Sequence, residues 1–100
     1  MNNPNAFANL KEREELEYQV ALLDSLNRLK VNNDFNRIYE HYTKESASLL
    51  IQKLSSLVKE GKNTDTIHKQ LEGISHFMAF LKTIDINGNS ANESLNQEEE

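Results

Sequence analysis

The chain has no cysteine. That excludes a disulfide framework, a thiolate metal site and a cysteine nucleophile. Its three glycines, Gly61, Gly73 and Gly88, stand far apart, so no glycine-rich loop can cradle a phosphate. No serine sits in a nucleophile-elbow motif. No apolar run approaches the ~20 residues that span a bilayer. The opening residues, MNNPNAFANLKEREELE, show no basic stretch leading into an apolar one, so no signal peptide is expected. The reading is one small intracellular domain, or a part of a particle assembled inside a cell.

The net negative charge sits at one end. Residues 1–82 hold all 11 Lys and Arg and 11 of the 16 Asp and Glu, so they sum to zero. Asp85, Glu93, Glu98, Glu99 and Glu100 supply the whole net charge of −5. Binding to a phosphate backbone needs a basic patch. Here Lys11, Arg13, Arg28, Lys30 and Arg37 are interleaved with acids and neutral residues, and nucleic acid is not an expected partner.

What the chain does have is helical periodicity. Leu16, Val20, Leu23 and Leu26 lie four, three and three apart, and Ala21, Leu22 and Leu29 widen the stripe. Asn9 with Glu12 reads as a capping box, which places a first helix at about 9–31. Asn32, Asn33 and Asp34 make a turn, Asn32 ending one helix and Asn33 capping the next. Phe35, Ile38, Tyr39 and Tyr42 then form an i, i+3, i+4, i+7 stripe, a short helix at about 33–42. Ala47, Leu50, Ile51, Leu54, Leu57 and Val58 form the next stripe, at about 44–60. Ser46, Ser48, Gln52 and Lys53 fall mostly on its polar side.

Gly61 is a natural helix stop. Whether the second and third helices are continuous stays open. In a last helix at about 65–85, Ile67, Leu71, Ile74, Met78, Leu81 and Ile84 share a stripe that Phe77 and Phe80 widen. Gly73 inside it suggests a close crossing with another helix. Residues 87–100 lack a periodic apolar set and end in acids, so a disordered acidic tail is expected. A flexible arm is expected at 1–8. The fold class is therefore all-α: a small bundle of three to four helices over 9–86, with no strand pattern competing.

The search for chemistry returns little. His68 and His76 are eight residues apart, too far to share a metal directly, and His41 reads as solvated. Asp34 has no second carboxylate or histidine at ligand spacing and reads as a turn residue. A calcium loop starting at Asp85 would need Gly and Glu where Ser90 and Asn96 stand. The carboxylates of EREELE alternate with Lys11 and Arg13 nearby, a solvated face. No catalytic residue, metal, cofactor or small-molecule substrate is expected, and the chain reads as a non-enzyme. The candidate partner-binding residues are Phe35, Tyr39, Tyr42, Phe77 and Phe80, since tyrosine suits half-buried surfaces. Packing within the domain and docking of a partner both explain this set at this point.

The segments ALLDSLNRLKVNNDFNRIYEHYTKESASLLIQKLSSL (21–57) and LEGISHFMAFLKTI (71–84) resemble small helical proteins from the structural gene clusters of tailed bacteriophages. The likeness lies in a leucine-rich first helix, an Asn-Asp-Phe turn, a short Tyr-bearing helix, a leucine-rich third helix and the last helix. It implies a virion or assembly component, such as a head, neck or prohead accessory protein. Such a component would bind other virion proteins or copies of itself, in the virion or the host cytoplasm. The rival expectation is a small phage regulator that binds and inhibits a host protein.

Overall fold

A computed structural model describes residues 4–99, with side chains described for 9–97. The protein is a small all-helical bundle, with no strand among the described residues. Helix α1 runs Pro4–Lys30, α2 Asn33–Glu40, α3 Ala47–Lys59 and α4 Asp65–Glu99. The π-helical segment His41–Ser46 joins α2 to α3 without a break, so three helical rods result. No described helix is long and apolar enough to cross a membrane.

Local chemistry sets the ends of these rods. Pro4 opens α1, where a fixed φ and a missing N–H cost least. Helix one therefore begins earlier than Asn9, and the Asn9–Glu12 capping box does not form. Of the arm expected at 1–8, residues 1–3 lie outside the described part and 4–8 belong to α1. Exposed i, i+4 pairs support this early stretch: Arg13 Nε donates to Glu17 at 3.2 Å and Gln19 Nε2 to Glu15 at 3.1 Å.

The cap of α2 is Asn32 and not Asn33. The Asn32 side-chain oxygen accepts from the Phe35 N–H at 2.9 Å, and Asn36 Nδ2 donates to the Lys30 carbonyl at 2.8 Å. At the end of α3, Gly61 takes φ +68°. The Lys62 N–H then reaches Leu57 O at 2.9 Å and the Gly61 N–H reaches Val58 O at 3.1 Å. This is a Schellman stop, which glycine adopts without a Cβ penalty.

The chain divides into two compact units. The first comprises residues 1–28 and 81–100. Its core is Leu23 and Leu26 from α1 and Ala91 from α4. Along this end of α4 the inward positions are Leu81, Ile84, Gly88, Ala91 and Leu95, spaced three, four, three and four. Gly88 lies against Leu23: a Cβ built on it would stand 2.8 Å from Leu23 Cδ2 and 3.1 Å from Cγ, and closer still to Leu23 Cβ.

The disordered tail expected at 87–100 is thus corrected. Helix α4 continues to Glu99, and Ala91 is 1% exposed. Gly88 and Ala91 in this stretch are small, which lets the two helices approach closely but gives a weak hydrophobic signal in the sequence. Residue 100 lies outside the described part.

The second unit comprises residues 29–80. It pairs the α2–π–α3 rod with the first turns of α4. Ile67 and Ile74 are its buried residues. Half-buried partners are Leu71 and Phe77 from α4 and Phe35, Tyr39, Thr43, Ala47, Leu50, Leu54 and Leu57 from the rod.

Those rod positions explain the π segment. From Phe35 to Ala47 the inward stripe takes three steps of four residues. At 3.6 residues per turn, three such steps overshoot by about one residue. The wider π turn takes up that extra residue, so the stripe keeps facing α4 on both sides of it. Thr43 Oγ1 donates to the Tyr39 carbonyl at 2.8 Å within this turn. The same geometry turns Ile38 outward, 70% exposed, although its spacing from Phe35 and Tyr42 placed it on the inner stripe. In α4 the inward place expected for Met78 goes to Phe77.

Candidate functional site: an apolar groove beside the π turn

The second unit brings together four of the five aromatic residues singled out from the sequence. Phe35 and Tyr39 stack at a ring distance of 5.9 Å. Tyr39 meets Phe77 at 6.2 Å, and Tyr42 meets the same ring edge-on at 5.8 Å. Such offset and edge-on pairs add to the burial of the rings. Phe35, Tyr39 and Phe77 thus pack largely on one another across the helix pair. Tyr42 keeps an exposed side, and Phe80 is exposed and stands outside this chain of rings.

Beside the aromatic chain lies a groove of about 560 Å³. Its lining from the rod is Tyr42, Ser46, Leu49, Leu50 and Lys53. These residues recur every three to four positions, one helical face adjoining the buried stripe. From α4 come Gln70, Gly73 and Ile74. Leu50 and Ile74 give an apolar floor, while Ser46, Gln70 and the Tyr42 hydroxyl give polar walls.

Gly73 keeps the groove open. A Cβ there would meet only the Tyr42 hydroxyl oxygen within 4 Å, at 3.9 Å. The close helix crossing that the sequence suggested at Gly73 is therefore found elsewhere, at Gly88. Leu49, 63% exposed, stands on the rim. It also borders a second depression of about 390 Å³ lined by Lys44, Glu45 and Ser48.

Sequence reasoning missed Ser46, Leu49, Lys53, Gln70 and Gly73 as groove residues. The spacing 42–46–49–53 was legible, but Ser46 and Lys53 read as the polar outer side of the helix. Only the packing of α4 against the rod shows that this face is concave.

Two polar pairs beside the π turn lie along their own helix. Lys44 Nζ lies 3.8 Å from Glu40, and His41 Nδ1 lies 2.9 Å from Glu45. Both pairs join residues four apart on an exposed surface, where such contacts contribute little. Among the described residues no group of three or more His, Asp or Glu is placed to hold a metal ion. What the groove offers chemically is an apolar slot with hydrogen-bonding walls, suited to receiving a side chain or a helix edge from another molecule. Comparison with protein-family models, with curated proteins and with solved structures gives no match for this chain.

Proposed function

We propose that this chain is a non-enzymatic structural or assembly component of a tailed-phage particle that acts by docking its helices against other proteins. The observation that carries the docking part is the groove beside the π turn, with Tyr42 and Leu49 exposed on its edge. Ile38, Ile51, Val58, Met78 and Phe80 are further exposed large apolar side chains of the same unit. Scattered exposed apolar residues are ordinary on a protein surface. Tyr42 and Leu49 at the edge of a concave apolar slot are what a docking surface needs. The particle part is supported by the resemblance of residues 21–57 and 71–84 to small phage structural proteins.

The test is mass spectrometry of purified particles from the source of the gene. The chain should be present at fixed stoichiometry. Leu49→Glu should lower its incorporation while the far-UV circular dichroism spectrum stays unchanged, because Leu49 is exposed. Absence from the particles would overturn the particle role.

A second reading is a small regulator that binds and inhibits a host protein. It is favoured by the charge of the first unit, where ten Asp and Glu stand against four Lys and Arg, a net of −6. Such a regulator would be recovered from infected cells on a host protein and not on the particle.

A further inference from the structure

We infer that Asn87–Gly88 is a self-modification site: its deamidation is gated by opening of the seam between α4 and α1, and its isoaspartate product cannot close that seam again. The site lies in the first unit and is independent of the groove.

The reactivity comes from the sequence. Asn-Gly occurs once in the chain, at 87–88. Asparagine is among the thermolabile residues, and glycine, with no Cβ, leaves its own nitrogen unhindered. In the reaction the Gly88 nitrogen attacks Asn87 Cγ. The new N–Cγ bond closes a succinimide ring. The side-chain nitrogen of Asn87 leaves as ammonia, taking the proton of the Gly88 N–H. Water then opens the ring. Attack at Cγ gives aspartate. Attack at the backbone carbonyl carbon gives isoaspartate, whose main chain runs through Cβ and Cγ. Nothing is oxidised or reduced, and water is the only co-reactant.

The fold holds this reaction back. Asn87 is exposed, so exclusion of water is not the brake. The backbone is. Residues 87 and 88 lie inside α4, where the helical ladder gives the Gly88 N–H to the carbonyl four residues back. Ring closure needs that N–H released and the Asn87 ψ turned out of the helical range. Asn-Gly by itself favours a turn. It is kept helical by packing: Gly88 lies against Leu23, and Ala91, one turn on, is buried in the core with Leu23 and Leu26. Asn89, the next candidate, is followed by serine, and its Nδ2 donates to the Asp85 carbonyl at 2.8 Å, which holds its amide on the preceding turn.

The two products differ in what they do to the seam. Isoaspartate lengthens the main chain by one carbon immediately before Gly88. No slack exists there, since a Cβ on Gly88 would already stand 2.8 Å from Leu23 Cδ2 and 3.1 Å from Cγ. The longer chain moves Gly88 off Leu23 or draws Ala91 out of the core. It also adds a carboxylate to a unit already at −6. Aspartate keeps the original main chain at an exposed position and refolds. The isoaspartate branch is therefore one-way.

The experiment incubates the full chain at mildly alkaline pH, native and in urea. Peptide mass spectrometry reads amide-to-acid conversion at residue 87, and isoaspartyl methyltransferase labelling separates the two products. The unfolded chain should react at 87 before any other asparagine. The native chain should react about a hundredfold more slowly or less, because only its open fraction is competent. Leu26→Ala, which leaves a hole in the core of the first unit, should raise the native rate at least about tenfold. If that variant does not fold, the wild type in urea below its unfolding transition takes its place: deamidation and amide exchange of residues 88–95 should rise in proportion. The isolated isoaspartate chain should exchange 88–95 at the free-peptide level, while Asn87→Asp keeps wild-type protection.

An unfolded chain that does not react first at 87 overturns the site. A native rate within about twofold of the unfolded rate overturns the gate, as does deamidation that fails to follow exchange. An isoaspartate chain with wild-type protection at 88–95 overturns the one-way product.

Discussion

Alanine at Gly88 and alanine at Gly73 should move stability in opposite directions, although both glycines lie inside α4. In an exposed helix interior, Gly→Ala gains about 1 kcal/mol from lower backbone entropy in the unfolded chain. At Gly73 nothing offsets that gain. The new methyl group meets only the Tyr42 hydroxyl, at an ordinary contact distance of 3.9 Å.

At Gly88 the methyl group would enter the space of Leu23, 2.8 Å from Cδ2 and 3.1 Å from Cγ. A rotamer change could move those two atoms, but the nearest atom is Leu23 Cβ, which is fixed to the backbone. The helices must therefore move apart, and overpacking of this kind costs about 1–3 kcal/mol. Taking the upper half of that range, because the clash includes a Cβ, leaves a net loss of about 1–2 kcal/mol after the helix gain. A chain of this size shifts its melting temperature by about 4–8 °C per kcal/mol.

Gly73→Ala should therefore melt about 4–8 °C above the wild type and Gly88→Ala about 4–16 °C below it. The assay is thermal melting by far-UV circular dichroism at one low protein concentration, where association contributes least. If Gly88→Ala melts as high as Gly73→Ala, residues beyond 87 are not packed on α1 and the account of the first unit fails.

Four further outcomes follow from the same geometry. Asn32→Ala should cost about 1 kcal/mol in urea unfolding, while Asn33→Ala should be close to neutral; the reverse order would move the cap back to Asn33. Gly61→Ala should cost about 1–2 kcal/mol because its φ of +68° is left-handed, and a neutral result would contradict the Schellman stop. Phe77→Ala removes the ring shared by Tyr39 and Tyr42 and should cost about 2–3 kcal/mol, less than a fully buried ring because Phe77 is half-buried. Phe80→Ala should stay within about 0.5 kcal/mol of wild type, and equal losses at the two positions would show that the ring cluster is misassigned. Amide hydrogen exchange should protect residues 88–95 above the free-peptide level, and exchange at that level would show that the end of α4 is unfolded.

The primary sequence determined the class of the fold and most of its punctuation. Leucines at three-and-four spacing demand helices, Gly61 stops one of them, and an Asn-Asn-Asp turn separates two others. Those features act within a few residues of themselves, so no distant contact is needed to read them. It also placed Tyr39, Tyr42 and Phe77 among the residues that matter, because aromatic stripes must meet something.

Tertiary structure decided what depends on a facing helix. The seam of Gly88, Ala91 and Leu95 has the right spacing but little apolar bulk. Its helix forms because Leu23 and Leu26 lie opposite, and close approach replaces side-chain size. The π turn likewise follows from keeping one stripe against α4 over more residues than a regular helix allows. Gly73 and Gly88 look alike along the chain; only their neighbours in space make one an open slot and the other a tight crossing.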